Sequence, residues 1–430
     1  MDKVVALCKR RGFVYPSSEI YGGLNAVYDY GPYGVAMKRA IKDLWWRRTV
    51  DLRDDVVGLD ASVLMNPEVW VASGHVAGFS DPLVDCLGTC RKRWRADHLS
   101  GDRCPECGGP LSAPRQFNLM FKTHIGPVED EGGVVYLRPE TAQGMFVDFK
   151  SVLNSMRVRL PFGIAQQGRS FRNEISPGNF IFRLREFEQM EMEYFVKPGE
   201  DERWHAYWIK ERHDWYLEDL GITPGRLRLR EHGADERAHY AKASTDIEYE
   251  YPFGWGELEG VANRTDFDLR AHQEHAHHDL TYLDQETNER YLPYAIEPAV
   301  GVDRIRVMAL LDAYDEEEVR GDTRVVLRLH PNVAPVQVAV MPLSKKESLI
   351  DPARKVQAML RRGYRVEYDQ TGGNIGRRYR RQDEIGTPYC VTVDFDTLED
   401  QAVTIRERDS MEQERVPIAD LVGRIGERLG

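Results

Sequence analysis

Phe171-Arg-Asn-Glu174 begins the most informative stretch of the chain, which continues through a loop at 175–180 to Arg183-Leu-Arg-Glu-Phe187. The pattern predicts two strands joined by a Pro-Gly-Asn turn, with arginines and glutamates presented side by side. Arginines paired with carboxylates are costly to bury unless a ligand uses them, so the stretch favours a site for a polyanion. A salt-bridged hairpin on the surface is the alternative that this stretch alone leaves open.

Strand-like runs continue on both sides of this hairpin. They lie at 134–137, 162–167, 187–196, 246–251 and 291–295, and an alternating run at 59–65 precedes them. Helical spacing is found at 36–50 and 302–313. The polar or helical segments between the strands favour an antiparallel sheet flanked by helices, which is an α+β fold.

The chain beyond residue 326 has a different pattern. After Pro331 and Pro335, strand-like and helical segments alternate as βαβαβ through 336–340, 352–362, 364–368, 375–385 and 390–395. This alternation predicts a separate α/β domain. Seven arginines between 361 and 381 make part of it locally basic, and a solvated helix face and a phosphate-contacting surface are the two interpretations of that run.

Charge and length set outer limits on the function. The 430 residues include 58 Lys+Arg and 70 Asp+Glu, a formal net charge of −12. This balance argues against a protein that coats nucleic acid through charge alone, although it leaves room for a local basic surface. No apolar run approaches the ~20 residues of a membrane span, and Met1-Asp2-Lys3 begins no signal peptide, so we expect a cytoplasmic protein.

Four of the six cysteines cluster in one short segment. Cys86, Cys90, Cys104 and Cys107 fall within 22 positions, which in a cytosolic chain indicates metal binding rather than disulfides. The second pair, with two glycines after it, suits a tetrahedral zinc knuckle, whereas the first pair has three intervening residues instead of two. We predict a structural zinc ion here, with reduced thiols as the alternative. Four thiolates leave no open coordination position for catalysis.

Three segments in chain order resemble the motifs of the class II aminoacyl-tRNA synthetases. The hairpin at 171–187 resembles motif 2, and Glu297-Pro-Ala-Val-Gly-Val-Asp-Arg304 resembles motif 3. Pro67, after Val63-Leu-Met-Asn, resembles the proline of motif 1, which implies that Pro67 lies at a dimer interface.

Further blocks are similar to the homodimeric glycyl-tRNA synthetases. They are Tyr28-Asp-Tyr-Gly-Pro32, Leu137-Arg-Pro-Glu-Thr-Ala-Gln-Gly144, Phe187-Glu-Gln-Met-Glu191, Trp255-Gly-Glu-Leu-Glu-Gly260, Asn263-Arg-Thr-Asp-Phe267 and Arg377-Arg-Tyr-Arg-Arg-Gln-Asp-Glu-Ile-Gly386. The resemblance implies ATP-dependent ligation of glycine to tRNA(Gly) through a glycyl-adenylate, by a homodimer that does not associate with membranes. It implies a catalytic domain at 1–85 and 116–325, a zinc-ribbon-like insertion at 86–115 and an anticodon-binding α/β domain at 326–430.

The same resemblance implies an ATP site. Arg172 and Arg304 are the implied catalytic residues, with Arg172 on the α-phosphate and the glycine carboxylate, and Arg304 over the adenine opposite Phe187. Arg183 and Arg264 are implied at the outer phosphates, Glu174 at the adenine amino group and Glu257 at Mg²⁺. The whole implied set is Arg172, Asn173, Glu174, Phe182, Arg183, Phe187, Glu257, Leu258, Arg264, Gly301 and Arg304.

The implied glycine site consists of Arg95, Glu140, Phe187, Glu191, Glu297 and Ala299. Glycine offers only an ammonium, a carboxylate and two hydrogens. The pocket must therefore be acidic to bind the ammonium, and it must gain selectivity by excluding any larger side chain. The family usually has serine where this chain has Ala299, so the detail of this pocket differs here.

Other segments carry weaker expectations. Arg377, Arg378, Arg380 and Arg381 are implied tRNA contacts. Histidines at 272, 275, 277 and 278 suit no single helix face, so we predict a hydrated polar turn there rather than a metal site. Tryptophans at 204, 208 and 215 have helical spacing and predict core packing.

Two alternative functions are disfavoured by the same residues. A non-catalytic accessory protein on a synthetase scaffold is expected to have lost the ATP arginines, which are all present here. A sister class II synthetase for serine, threonine or proline is expected to lack the acidic pocket blocks.

Overall fold

The structure, a computed structural model, describes residues 1–127, 129–175, 178–233, 235–238 and 240–429, with the side chain of Glu131 left out. The Pro177 end of the predicted Pro-Gly-Asn turn therefore lies outside the described residues.

Helices and strands alternate along most of the described chain. The helices are α1 (Asp2–Arg11), α2 (Pro32–Trp46), α3 (Pro67–Ala72), α4 (His75–Gly78), α5 (Ala142–Val147), α6 (Phe149–Met156), α7 (Asp201–Glu218), α8 (Phe267–Ala276), α9 (Val302–Ala313), α10 (Glu347–Leu360), α11 (Ile375–Ile385), α12 (Thr397–Asp400) and α13 (Leu421–Leu429). The strands are β1 (Val14–Pro16), β2 (Tyr28–Tyr30), β3 (Val56–Gly58), β4 (Ser80–Asp85), β5 (Arg93–Arg95), β6 (Arg115–Asn118), β7 (Lys122–His124), β8 (Val134–Tyr136), β9 (Phe162–Phe171), β10 (Glu186–Val196), β11 (Leu227–Glu231), β12 (Ala243–Tyr251), β13 (Gly254–Thr265), β14 (Tyr282–Leu283), β15 (Arg290–Tyr291), β16 (Tyr294–Gly301), β17 (Tyr314–Val319), β18 (Asp322–Leu327), β19 (Val338–Pro342), β20 (Val366–Tyr368), β21 (Tyr389–Val393), β22 (Ala402–Glu407) and β23 (Gln413–Pro417).

A seven-stranded sheet forms the centre of the larger domain. Its order is β11-β12-β13-β16-β10-β9-β3, and neighbouring strands are antiparallel except for β3 and β9. One face packs against α2, α7 and α9 through a core that contains Tyr194 and Trp208. The other face is covered at one end by α5, α6 and α8, where Phe149 meets Phe195. The predicted antiparallel α+β fold is confirmed.

The strand predicted at 59–65 is wrong, because the strand at this edge is β3, at Val56–Gly58. Alternating polar and apolar residues imitate a strand at 59–65. The Leu59 amide still donates to the Ala165 carbonyl at 2.9 Å, but the chain then leaves the sheet, and Leu64 forms an isolated bridge with Leu137. The buried Arg138 donates to the Ala61 carbonyl at 2.7 Å. A Cβ on Gly144 would lie only 2.5 Å from the Ala61 side chain, so α5 also packs closely on this segment.

The smaller domain has its own five-stranded sheet in the order β20-β19-β21-β22-β23. Strands β20, β19 and β21 are parallel and β22 and β23 are antiparallel additions, so the predicted βαβαβ unit is confirmed. Its core is separate from that of the larger domain and includes Val340, Leu360 and Val391. Helix α10 begins at Glu347, earlier than predicted, because Pro352 lies inside the helix instead of opening it.

Two further expectations have different outcomes. Core packing of the tryptophans is confirmed, since Trp208 and Trp215 are fully buried in α7. The hydrated turn at the histidines is wrong for His272 and His275, which lie in α8. His272 is buried against α5, where its Nε2 lies 2.7 Å from Gln143 Oε1. No helix in the described ranges has the length and apolarity needed to span a membrane.

Candidate active site

A cavity of about 360 Å³ opens on the face of the seven-stranded sheet that also carries α5, α6 and α8. Strands β10, β12, β13 and β16 form its floor. The predicted site residues that line it are Glu140, Arg172, Glu174, Phe182, Arg183, Phe187, Glu191, Glu257, Glu297, Ala299, Gly301 and Arg304. The fold therefore brings the predicted phosphate-binding arginines and the predicted acidic residues into one site.

Arg172 lies beside an aromatic wall of this cavity. It directly follows β9, and its guanidinium carbon is 5.4 Å from the ring centres of both Phe79 and Phe187. Its Nε donates to the Pro139 carbonyl at 2.9 Å, which anchors the side chain to the loop before α5. A cation fixed next to an aromatic face suits a ligand that carries both a planar ring and an anion.

Two arginines of the segment between β9 and β10 have different roles. Arg185 donates to the carbonyls of Asn25 at 2.6 Å and of Glu174 at 3.1 Å, so it supports the loop. Arg183 makes a longer ion pair, 4.0 Å from its Nη1 to Glu174 Oε2, and lines the cavity. Glu174 Oε2 is buried without a hydrogen-bond partner among the described residues, so it can accept a hydrogen bond from a ligand.

Arg304 stands at the start of α9, on the opposite wall. Strand β16 ends at Gly301, and the next turn of chain presents Arg304 to the cavity. Its Nη1 is 2.9 Å from Glu257 Oε1, and its guanidinium carbon is 4.8 Å from the centre of the Phe182 ring. Arg304 holds the pKa of Glu257 below its usual value, so this exposed carboxylate is ionised at neutral pH.

Three carboxylates meet deeper in the cavity. Glu191 of β10 lies opposite Ala299 of β16, Glu297 lies two residues earlier on β16, and Glu140 comes from the loop before α5. Each strand contributes alternate residues to one face, which is why Glu191 and Glu297 point into the same space. The site thus places acidic groups at one end and arginines at the other.

The environments of the three carboxylates shift their pKa values in different directions. Burial, and then the charges of Glu191 and Glu140, raise the pKa of Glu297 to about 8 against the opposing effect of Arg264. Burial and Glu140 also raise the pKa of Glu191. Burial acts in the same direction on Glu140, but His75, 3.3 Å away, and Arg264 outweigh it and hold its pKa well below the usual range. A bound cation is the natural partner for this cluster.

Arg264 lies beneath the acidic residues and outside the cavity wall. It is buried, its Nε and Nη2 each donate to Asp268 at 2.8 Å, and its Nη1 donates to Glu297 at 2.9 Å. The structure therefore joins Arg264 to the acidic end of the site, away from the arginines that the resemblance groups it with.

Three other predicted residues lie outside the lining of this cavity in the described part of the chain. Leu258 belongs to the core, and the backbone amide of Asn173 donates to the Leu119 carbonyl at 2.8 Å. Arg95 sits on the sheet of the cysteine insertion, where it pairs with Asp81 at 2.9 Å and Asp97 at 2.7 Å.

Sequence reasoning missed a histidine–aspartate pair in the cavity wall. His232 Nε2 lies 2.7 Å from Asp246 Oδ2, and both residues line the cavity. Burial and the charge of Glu257 raise the pKa of Asp246 to about 6, while His232 lowers it. The two residues are 14 positions apart and meet because β11 and β12 are neighbours. The sequence signal for such a pair is a polar residue at every second position in two consecutive strands, because these residues share one face of the sheet.

The cysteine insertion extends from a three-stranded sheet in the order β5-β4-β6. The Sγ atoms of Cys86, Cys90, Cys104 and Cys107 all lie within 4.8 Å of one another. Hydrogen bonds from the backbone at Cys90 and Gly109 lower the pKa of Cys107 to about 5, which favours a thiolate. The four Sγ atoms are close enough together to bind one metal ion.

The four C-terminal arginines do not form one surface. Arg377 is exposed, Arg380 and Arg381 are half-buried, and Arg378 is only 3% exposed. Arg378 donates to the carbonyls of Pro342, at 2.6 Å, and Asp369, so its guanidinium supports the domain's own backbone. The predicted tRNA contact at Arg378 is wrong, because a helix that presents Arg377 outward turns the next residue into the core.

Pro67 is the first residue of α3, and the Asn66 side chain caps this helix by accepting from the Glu68 amide at 3.0 Å. The helix has a partly apolar outer surface, since Leu64 before it and Val71 within it are exposed. The assignment of this surface to a dimer interface stays a prediction.

Two family models match this chain. The model described as tRNA synthetase class II core domain (G, H, P, S and T) matches residues 121–314, and the model described as Anticodon binding domain matches residues 337–428. These matches confirm the predicted pairing of a class II core with a C-terminal anticodon-binding domain.

Curated relatives match over the full length. The chain is 57% identical to the glycine–tRNA ligase of Corynebacterium efficiens, with 100% of this chain and 98% of the relative covered. It is 56% identical to the glycine–tRNA ligase of Bifidobacterium longum, with 100% and 93% covered, and 55% identical to that of Thermobifida fusca, with 100% and 98% covered.

Among solved structures, the prolyl-tRNA synthetase of Cryptosporidium parvum in complex with L-proline and AMP matches with a TM-score of 0.67. The identity is 15%, and the match covers 99% of this chain and 77% of that one. This similarity shows a shared fold.

Proposed function

The chain belongs to the glycine–tRNA ligase family, and from this membership we propose how its active site activates glycine. The enzyme ligates glycine to tRNA(Gly) at the expense of ATP. The glycine carboxylate attacks the α-phosphorus, the bond to pyrophosphate breaks, and a ribose hydroxyl of the tRNA then takes the glycyl group and releases AMP. The observation that carries the proposal is the single cavity with arginines at one end and three carboxylates at the other.

At the arginine end, Phe187 and Arg304 hold the adenine between them, and Glu174 accepts from its amino group. The buried Oε2 of Glu174, which accepts no hydrogen bond from the described residues, supports this role. Arg172, fixed between the Phe79 and Phe187 rings, neutralises charge on the α-phosphate and on the attacking carboxylate. Neither step needs a nucleophile from the protein, so catalysis rests on positioning and on charge stabilisation in a preorganised site.

Glu257 fits a role in holding Mg²⁺. It is an exposed, ionised carboxylate on the cavity wall, and Mg²⁺ prefers carboxylate and phosphate oxygens. The ion, when bound, neutralises phosphate charge. In the structure Glu257 pairs with Arg304, so the two side chains separate when each engages ATP.

At the acidic end, Glu140, Glu191 and Glu297 bind the ammonium of glycine. Their charges and burial favour a cation, and Arg264 from beneath holds Glu297 in place. Gly260 and Ala299 face each other in this part of the sheet, so the floor there carries no side chain beyond a methyl group. Three predicted residues support the site from outside the cavity wall: Asn173 in the loop after β9, Leu258 in the core and Arg95 on the sheet of the cysteine insertion.

The remaining assignments concern the rest of the molecule. The four cysteines hold a structural zinc ion, which their common separation within 4.8 Å supports. Arg377, with support from Arg380 and Arg381, contacts tRNA phosphates. Two chains associate through the surface around Pro67 to form a homodimer. Because charged tRNA is used at ribosomes, we place the enzyme in the cytoplasm.

Amino-acid-dependent ATP–pyrophosphate exchange tests the proposal. Glycine is expected to support exchange, while alanine, serine, threonine and proline are not, because the proposed activity requires a pocket that excludes any larger side chain. Exchange that does not depend on glycine would overturn the assignment of the acidic pocket. Charging of tRNA(Gly) with labelled glycine tests the second step separately, and a protein that binds tRNA without exchange would instead be a non-catalytic relative.

A further inference from the structure

A second cavity, of about 540 Å³, lies behind the adenine end of the active site. Phe187 and Asp303 belong to the walls of both cavities. Phe187 is one of the two side chains proposed to enclose adenine, and Asp303 precedes the other, Arg304. Groups in the second cavity can therefore influence the adenine site without touching ATP.

Tyr30 occupies the wall of this second cavity and bonds to Asp303. Its hydroxyl donates to Asp303 Oδ1. The guanidinium carbon of Arg306 lies 3.9 Å from the centre of the Tyr30 ring, and its Nη1 is 3.4 Å from the same Asp303 oxygen. In the described part of the chain, Tyr30 and Arg306 are the side chains that satisfy Asp303, whose Oδ2 has no partner.

The same ring is linked to the other side of the adenine site. The ammonium of Lys38 lies 4.6 Å from the centre of the Tyr30 ring and 2.5 Å from Glu188 Oε2. Lys42 holds the second oxygen of Glu188 at 2.9 Å. Glu188 directly follows Phe187 on β10, so the Tyr30 ring is connected to the backbone beside Phe187 as well as to the backbone beside Arg304.

We propose that Tyr30 is a positioning residue that sets the separation between Phe187 and Arg304, and so the fit of adenine. This inference rests on the proposed function, in which these two side chains enclose the base. Burial and the nearby Asp303 raise the pKa of Tyr30 well above its usual value, so its hydroxyl stays a hydrogen-bond donor at working pH. A ring held by a hydrogen bond and by two cations is a rigid spacer.

Tyr30→Phe tests this inference because it keeps the ring and removes only the hydroxyl. We expect the KM for ATP in ATP–pyrophosphate exchange to rise about tenfold, since a buried, charge-assisted hydrogen bond is lost. The KM for glycine is expected to stay unchanged, whereas the melting temperature is expected to fall, because the buried Asp303 loses a donor. Tyr28→Phe is the matched control, since Tyr28 lies two residues earlier on β2 and packs edge-on against Phe180. It is expected to leave the KM for ATP unchanged.

A second variant, Asp303→Asn, tests whether Tyr30 acts on the adenine site through Asp303. If Tyr30 acts through Asp303, Asp303→Asn raises the KM for ATP and the double variant shows no further increase. Additive effects, or an unchanged KM for ATP in Tyr30→Phe, would overturn the inference, as would a fall in kcat and melting temperature with both KM values unchanged. Phe187→Ala separates this failure from failure of the proposed function. An unchanged KM for ATP in that variant means that the adenine assignment itself is wrong.

Discussion

Arginines of the active-site cavity and arginines of the C-terminal core are used in opposite ways. Arg172 and Arg304 line the active-site cavity. Arg172 donates an anchoring hydrogen bond through its Nε, and Arg304 forms an ion pair with the exposed Glu257. In the C-terminal domain Arg406 is buried and gives both terminal nitrogens to Asp383, at 2.8 and 3.2 Å. Arg324 reaches the same fully buried carboxylate at 2.9 Å from β18.

The difference lies in how completely each guanidinium is satisfied by the protein. A buried guanidinium that loses its carboxylate leaves an unpaired charge, which is costly, so the pairs at Asp383 hold the fold together. An arginine with donors directed into a cavity is satisfied only when a ligand is bound. The comparison teaches that an arginine is assigned to ligand binding or to stability by its partners, and that a run of arginines in the sequence gives no such assignment.

The largest expected effect tests the active-site side of this comparison. Arg172→Ala is expected to reduce ATP–pyrophosphate exchange about 10³-fold, because it removes a preorganised donor to the charge that develops at the α-phosphate. The free energy of unfolding is expected to fall by about 1 kcal/mol, since in the described part of the chain the Arg172 side chain donates one hydrogen bond, to the Pro139 carbonyl, and contacts two rings. Exchange rates and urea denaturation measure the two quantities.

Arg406→Ala is the matched variant in the other domain. It is expected to lower the free energy of unfolding by about 3 kcal/mol, because a fully buried carboxylate loses one of its cations. Exchange per folded molecule is expected to be normal. If Arg406→Ala abolished exchange while the protein stayed folded, or Arg172→Ala unfolded it, the comparison would fail.

How far the sequence could predict this structure follows from the same contrast. The hairpin at 171–187 and the segment 297–304 could be predicted to lie together, because they resemble two motifs that form one ATP site in the class II synthetases. The burial of Arg378 could not, because nothing in Arg377-Arg378 shows which carbonyls Arg378 will reach after α11 packs on its sheet. The misplaced strand at 59–65 has the same cause, since its pattern does not reveal that Arg138 takes the Ala61 carbonyl.

The acidic end of the cavity supplies the next prediction. Glu297→Gln is expected to raise the KM for glycine about 30-fold, because a charge-assisted bond to the ammonium becomes neutral, while the KM for ATP is unchanged. A variant whose KM for glycine matches that of the wild type would remove Glu297 from the ammonium site.

The wild type is also expected to depend on pH through this group. Protonation of Glu297, whose pKa is raised to about 8, competes with binding of the ammonium. The kcat/KM for glycine is therefore expected to increase with pH, by at most about tenfold per unit, and to level off above about 8. In Glu297→Gln this increase should be absent, and an identical pH profile in both proteins would contradict the assignment.

The cysteine cluster extends the comparison to side chains that are proposed to bind a metal ion. Purified protein is expected to contain one zinc ion per chain, and Cys104→Ser is expected to lose it and to melt about 2–4 °C lower, while glycine-dependent exchange is retained. Metal analysis and thermal denaturation measure these effects. Cys390→Ala, in the buried core of the other domain, is the control that keeps its zinc. A wild-type protein without zinc would reject the site.

The smallest effect is expected within the arginine run itself, where two neighbours should behave differently. Arg377 is exposed on α11, so Arg377→Ala is expected to raise the KM for tRNA in aminoacylation about threefold and to reduce the salt dependence of tRNA binding by about one unit of log–log slope. Exchange in the absence of tRNA and the melting temperature are expected to stay the same. Arg378→Ala is expected to lower the melting temperature, because the carbonyls of Pro342 and Asp369 lose their donor, and to leave the salt slope unchanged. Equal salt slopes in Arg377→Ala and the wild type would mean that the exposed arginine is a solvated surface residue, and the contrast between ligand-facing and structural arginines would then be confined to the catalytic cavity.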